Sequence, residues 1–88
     1  MPDYLTLLFT SDFMASMESL SPADRRRVRH ALDLLEANER HPSLNIHQLS
    51  GKQAGEWTIY ASKSLRVTFE RLEAGRKRLL EASHHYGD

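Results

Sequence analysis

At Pro42 the hydrophobic period of this chain changes from helical to two. Before it, Phe13, Met14, Met17 and Leu20, then Val28, Ala31, Leu32 and Leu35, recur at helical spacing. After it, Trp57, Ile59 and Ala61, then Leu65, Val67 and Phe69, alternate with polar residues at the spacing of two that belongs to strands. A helical first half followed by a period-two second half keeps helices and strands apart, which predicts an α+β architecture.

Local signals place the elements. Leu5, Leu7 and Phe9 alternate with Tyr4, Thr6 and Leu8 and predict a short strand before the helices. Ser11 is the expected N-cap of the first helix. In "SPAD", residues 21–24, Ser21 caps the second helix, Pro22 suits its first turn and Asp24 takes the acidic position of a capping box. Pro42 prevents that helix from continuing, and Asn38 is its expected stop. Leu44, Ile46 and Leu49 then predict a strand, turned by Ser50-Gly51-Lys52. Ser62-Lys63-Ser64 and Glu73-Ala74-Gly75-Arg76 are the turns of a meander whose last strand runs from Leu79 to His84. The expected order is β-α-α-β-β-β over one domain, residues 1–88, with both helices on one face of a mostly antiparallel sheet. A double-stranded-RNA domain starts and ends with helices, and a helix-turn-helix protein has no such meander, so neither is expected.

Composition narrows the function. The chain has no cysteine, which excludes a disulfide framework and thiolate metal sites and fits a cytoplasmic protein. Tyr4 to Phe9 is too short to span a membrane and lacks the basic flank of a signal peptide, so no membrane association is expected. The net charge is zero, with 12 basic and 12 acidic residues. Residues 1–24 hold Asp3, Asp12, Glu18 and Asp24 without a Lys or Arg, so the remainder is net basic and can present a basic face. Overall neutrality argues against strong, nonspecific nucleic-acid binding.

Several side chains stand out. Leu65, Val67 and Phe69 define a core-facing side of their strand, so Arg66 projects from the opposite face. A guanidinium there can hold a phosphate through two parallel hydrogen bonds, or pair with Glu56 or Glu70 across the sheet. If Leu44 and Ile46 face the core, His47 shares the face of Arg66. His84, His85 and Tyr86 close the last strand, and histidine exchanges protons near neutral pH. Trp57 and Tyr60 are expected in the core. Arg25, Arg26, Arg27 and Arg29 form either a solvated helix face or a docking patch for RNA or an acidic partner. His41, His47, His84 and His85 lack a recognised ligand spacing, so no metal is expected.

With these residues in place, the chain resembles the RelE/ParE superfamily of bacterial toxins from toxin–antitoxin pairs. The resemblance rests on Leu44, His47, Leu49 and Gly51, on Leu65-Arg66-Val67-Thr68-Phe69, and on His84, His85 and Tyr86. In the RelE-like branch it implies a type II toxin that cleaves mRNA on the ribosome without a metal or other cofactor. The ribose 2′-hydroxyl attacks the adjacent phosphate and a 5′-hydroxyl leaves, which needs a cation on the phosphate, a base and an acid. It implies Arg66 as the cation, His47 as a base, and His85 or His84 with Tyr86 at the scissile group. Arg25, Arg26, Arg29, Lys52 and Lys63 would contact RNA or the ribosome. The implied partners are the ribosome, mRNA and a cognate antitoxin, as a homodimer or a heterotetramer with that antitoxin. In the ParE-like branch the same fold inhibits DNA gyrase without catalysis, and a non-toxic relative would act only by binding.

Overall fold

The second helix forms where the sequence starts it. Ser21 is extended, its hydroxyl accepts from the Asp24 N–H at 3.1 Å, and Pro22 opens a helix, α2, that runs Pro22–Ala37. Val28, Ala31, Leu32 and Leu35 are its buried stripe, and Asn38 ends it by donating its N–H to the Leu34 carbonyl at 2.7 Å. The computed structural model describes residues 4–51 and 55–84. Around α2 it places a strand β1 (Leu7–Phe9), a helix α1 (Ser11–Glu18) and strands β2 (His47–Gln48), β3 (Glu56–Tyr60), β4 (Leu65–Arg71) and β5 (Lys77–His84). The described strands make one sheet in the order β1-β5-β4-β3-β2, parallel between β1 and β5 and antiparallel elsewhere. No helix among the described residues is long and apolar enough to cross a membrane.

Phe13 and Met17 of α1 and the α2 stripe bury against Ile59, Leu65, Val67, Phe69, Leu79 and Ala82 of the sheet. Leu79 and Ala82 are three apart, so strict alternation would send them to opposite faces. The register between β4 and β5 shifts between Thr68, which faces Glu81, and Phe69, which faces Leu79. Leu80 is therefore the extra residue of a β-bulge, and the bulge returns both Leu79 and Ala82 to the core.

Beyond Phe9, where β1 stops, α1 runs along the vacated edge of β5. The Ser16 hydroxyl accepts from the Ala82 N–H at 2.9 Å and donates to the Phe13 carbonyl at 2.7 Å. The Thr10 hydroxyl donates to the Leu79 carbonyl at 2.8 Å and accepts from the Phe13 N–H at 3.0 Å. Thr10, not Ser11, is thus the N-cap of α1, because Thr10 holds the extended backbone a cap requires.

Two other expectations change. The segment Pro42–Leu44 is a 3-10 turn rather than a strand, since Pro42 and the His41 ring, which accepts from the Ser43 N–H, favour a tight turn. Asn45 then takes a left-handed conformation, φ 47°, and the strand keeps only His47 and Gln48. The last strand begins at Lys77, two residues early. Lys77 is 5% exposed, and its ammonium is neutralised by Glu39 at 3.1 Å. The same carboxylate accepts two hydrogen bonds from Arg71, at 3.1 and 3.0 Å.

These contacts make stability depend on a carboxylate. The Arg71 hydrogen bonds lead, against burial and with help from Lys77, in holding the Glu39 carboxyl down at about 2 instead of 4.5. A depressed carboxylate stabilises the fold above its unfolded pKa, and that contribution disappears as pH falls from 4.5 towards 2. Thermal melts should therefore drop over this window in the wild type, and drop less in Glu39→Gln. At neutral pH Leu32→Ala should cost about 2–5 kcal/mol by cavity formation. Ser16→Ala should cost about 1–3 kcal/mol by leaving the Ala82 N–H without its acceptor. Chemical denaturation measures both.

Candidate functional site

The sheet face turned away from α2 carries Arg66. The register places Tyr60 opposite Arg66, Arg66 opposite Ser83, and His47 opposite Thr58, so His47, Tyr60 and Arg66 lie on one face. Their side chains form a row. The Arg66 guanidinium carbon sits 3.6 Å from the centre of the Tyr60 ring. The His47 ring meets the same tyrosine edge-on, with centroids 6.2 Å apart.

Each member is oriented by the backbone. Arg66 Nη1 donates to the Lys63 carbonyl at 2.7 Å and the Ser62 carbonyl at 3.4 Å, which fastens the guanidinium to the β3–β4 turn. Nε and Nη2 make no hydrogen bond among the described residues. The alternative of an ion pair with Glu56 or Glu70 is not realised, because Glu70 pairs with Arg78. His47 Nδ1 lies 2.8 Å from the Asn45 carbonyl. A carbonyl only accepts, so Nδ1 carries the proton and the neutral ring keeps Nε2 as an acceptor on this exposed edge. The arrangement offers a fixed cation and, on the far side of one aromatic ring, a proton acceptor.

Tyr60 corrects the expectation that it belongs to the core. It follows the buried Ile59, and alternation sends it to the other face, where it is half-buried beneath Arg66. That alternation was the available signal, outweighed by the aromatic character of the residue. Trp57 does pack against the core, with Arg71 stacked over it at 4.2 Å.

His84 is not brought to Arg66. It pairs with Leu65 in the register and so faces α2, where Nε2 lies 2.7 Å from Asp24 and Nδ1 lies 3.1 Å from the Ser64 hydroxyl. The His84 hydrogen bond leads in holding the Asp24 carboxyl below its usual value, with Arg27 assisting against burial. The Asp24 carboxylate thus serves His84 and Arg27. His85, Tyr86 and Lys52 lie outside the described residues.

The helical arginines divide. Arg25 donates to the Leu20 carbonyl at 2.8 Å, and more weakly to those of Met17 and Glu18, so it caps the end of α1. Arg29, one turn on, borders with it an apolar groove that includes Phe9, Met14 and Met17. Arg26 lies on another side of α2, beside His30 and Ala61, near the turn that carries Lys63.

No family model and no curated protein matches the sequence. Solved structures do match in fold. A YoeB/ParE toxin from Agrobacterium tumefaciens is 16% identical, over 93% of this chain and 100% of that one, with a TM-score of 0.74. The archaeal RelE–RelB complex from Pyrococcus horikoshii OT3 contains a chain 14% identical, over 98% and 100%, at 0.74. The DinJ–YafQ toxin–antitoxin complex of E. coli contains one 12% identical, over 97% and 100%, at 0.72. The architecture is that of toxins from toxin–antitoxin pairs. More narrowly, the chain shares the fold of these YoeB/ParE, RelE and YafQ structures, as the order of elements led one to expect.

The separation of the two faces can be checked. His84→Gln should lower thermal stability by weakening the Asp24 contact, and leave the ring-current shifts of Tyr60 and His47 unchanged in NMR spectra. Arg66→Ala should shift the Tyr60 ring signals and leave those of His84 in place.

Proposed function

We propose that this chain is the toxin of a type II toxin–antitoxin pair and that it cleaves mRNA on the ribosome without a metal. The observation that supports this reading most is Arg66, stacked on Tyr60 and tethered to the turn carbonyls, on the same face as His47. A guanidinium fixed in this way meets a phosphate without first being ordered, which is how preorganised charge lowers a barrier.

In the proposed reaction His47 Nε2 takes the proton of the ribose 2′-hydroxyl. The 2′-oxygen bonds to the adjacent phosphorus, and the bond from phosphorus to the 5′-oxygen breaks. Arg66 offsets the charge gathering on the non-bridging oxygens. The leaving 5′-oxygen needs a proton, and the products are a 2′,3′-cyclic phosphate and a 5′-hydroxyl. His84 is engaged with Asp24 on the opposite face. The acid is therefore assigned to His85, with Tyr86 beside it in sequence.

The YafQ and RelE neighbours are seen with DinJ and RelB, and we extend to this chain a cognate antitoxin as its partner in the cytoplasm. The ParE in one neighbour's name favours a second reading, noncatalytic inhibition of DNA gyrase. One experiment separates the two: single-turnover cleavage on translating ribosomes at saturating enzyme, with product ends analysed. Arg66→Ala should lower the rate about 10²–10³-fold, and His47→Gln about 10²–10⁴-fold. Tyr60→Phe should stay near wild type, since the ring and not the hydroxyl carries Arg66. Full activity in Arg66→Ala overturns the mechanism, and wild-type protein that inhibits gyrase without cutting RNA establishes the second reading.

A further inference from the structure

The seam between α2 and the β3–β4 hairpin carries a feature the Arg66 site does not use. Two depressions meet there and share His30 and Ala61. One, about 340 Å³, is lined by residues that include Leu34, Ser43, Leu44, Tyr60 and Lys63. The other, about 310 Å³, is lined by Ala23, Arg26, Arg27, His30 and Ala61. The seam is open because β2 is so short. It pairs only with Trp57 and Thr58, so the β3 edge at Tyr60 has no strand neighbour among the described residues.

The charge of this trough is one-sided. Arg26, Arg27 and Lys63 line it, and no Asp or Glu does. Arg27 is held by Asp24 at 2.6 Å, whereas Arg26 and Lys63 are exposed and make no ion pair among the described residues. The contrast is a depression on the Arg66 face of the sheet, beyond Thr68 towards the start of β3, lined by Asp12, Glu56 and Glu81. An anionic strand is thus drawn to the hairpin end and repelled from the far end. The wall of the larger depression is mostly apolar, with Leu34 and Ala61 reaching its surface, and His30 and Ser43 are hydrogen-bonding groups beside them. An apolar wall with a few polar groups suits a nucleobase, and flanking cations suit its phosphates.

We propose that this trough binds single-stranded RNA next to the phosphate at Arg66, with one base in the larger depression and phosphates at Lys63 and Arg26. The proposal rests on the nuclease reading for its choice of RNA. Tyr60 makes the two sites contiguous, since it lines the trough and also carries Arg66. The Lys63 carbonyl accepts from Arg66, so the turn that borders the trough is also the turn that holds the guanidinium.

The test is binding of a fluorescent hexaribonucleotide to the full chain by anisotropy across a salt series, beside the ribosomal cleavage assay. Arg26→Ala with Lys63→Ala should weaken binding at least about tenfold and flatten the salt slope by about 1.4, two phosphate contacts at about 0.7 each. Ala61→Leu should weaken binding by narrowing the trough and leave the salt slope alone. If that variant melts early, His30→Glu replaces it, acting from an exposed position by repulsion. Arg76→Ala, in the distant β4–β5 turn, should bind like wild type. The trough is overturned if wild type does not bind the hexamer, if the trough variants bind as wild type does, or if Arg76→Ala loses as much as they do. Trough variants should cut at the wild-type rate at saturating enzyme but need more enzyme to reach it. Wild type that binds through the trough and never cuts leaves the trough standing and removes the nuclease reading.

Discussion

Strand β5 is hydrogen-bonded on both edges by different means, and its bulge at Leu80 sets the phase of what surrounds it. Ahead of the bulge, Lys77 and Leu79 point inward while Arg78 faces Glu70 on the outer surface. After it, Ala82 and His84 point inward and Ser83 lies opposite Arg66. Removing the extra residue would invert one half of the strand and exchange a buried leucine or alanine for a charged or polar neighbour. Two threads of the fold converge on the same stretch: β1 pairs with Lys77 to Leu79, and Ser16 of α1 takes over at Ala82. A helix that supplies a hydroxyl where a strand has ended closes the edge without lengthening the sheet.

A second tie, at the start of β5, is ionic. Glu39 follows α2 and gathers Arg71 from β4 and Lys77 from β5. Because Lys77 is almost wholly covered, its charge requires that partner, and the carboxylate is held ionised by the arginine as well. The N-terminal segment is fixed to the same helix by a second carboxylate. Glu36 accepts from both the N–H and the hydroxyl of Thr6, at 3.1 and 2.7 Å. Two acidic residues three positions apart thereby fix the relation of α2 to the sheet.

Much of this was legible in the residues. The switch of period at Pro42 separated helices from strands, Ser21-Pro22 started α2 at the right place, and alternation in Leu65 to Phe69 put Arg66 on the outer face. What escaped depends on the third dimension. The bulge at Leu80 cannot be read from an alternating pattern, since Leu79 and Leu80 are equally apolar. The 3-10 turn at Pro42 competes with a strand reading of Leu44 and Ile46, and the proline decides it locally. The face of His84 follows from its pairing with Leu65, which sequence alone does not specify. The aromatic ring of Tyr60 argues for the core, but its position beside the buried Ile59 places it on the outer face. Arg25 looked like its neighbours in a run of arginines, and only the arrival of the end of α1 beside it gives it carbonyls to cap.

The pairing of β1 with β5 joins Leu7 to Lys77, residues 70 positions apart. During synthesis at about 5–20 residues per second, roughly 4–14 s pass between the appearance of the two strands. Through that interval Leu7 and Phe9 have no strand to join, and Ser16 has no amide to receive. The helices and the β3–β4 hairpin are built from near neighbours and can form as they emerge, whereas the non-local pair closes late. The turn that tethers Arg66 therefore takes shape on the nascent chain before the body that supports it is sealed. Closure, and with it cover for Leu7 of the first strand, waits until β5 has been made.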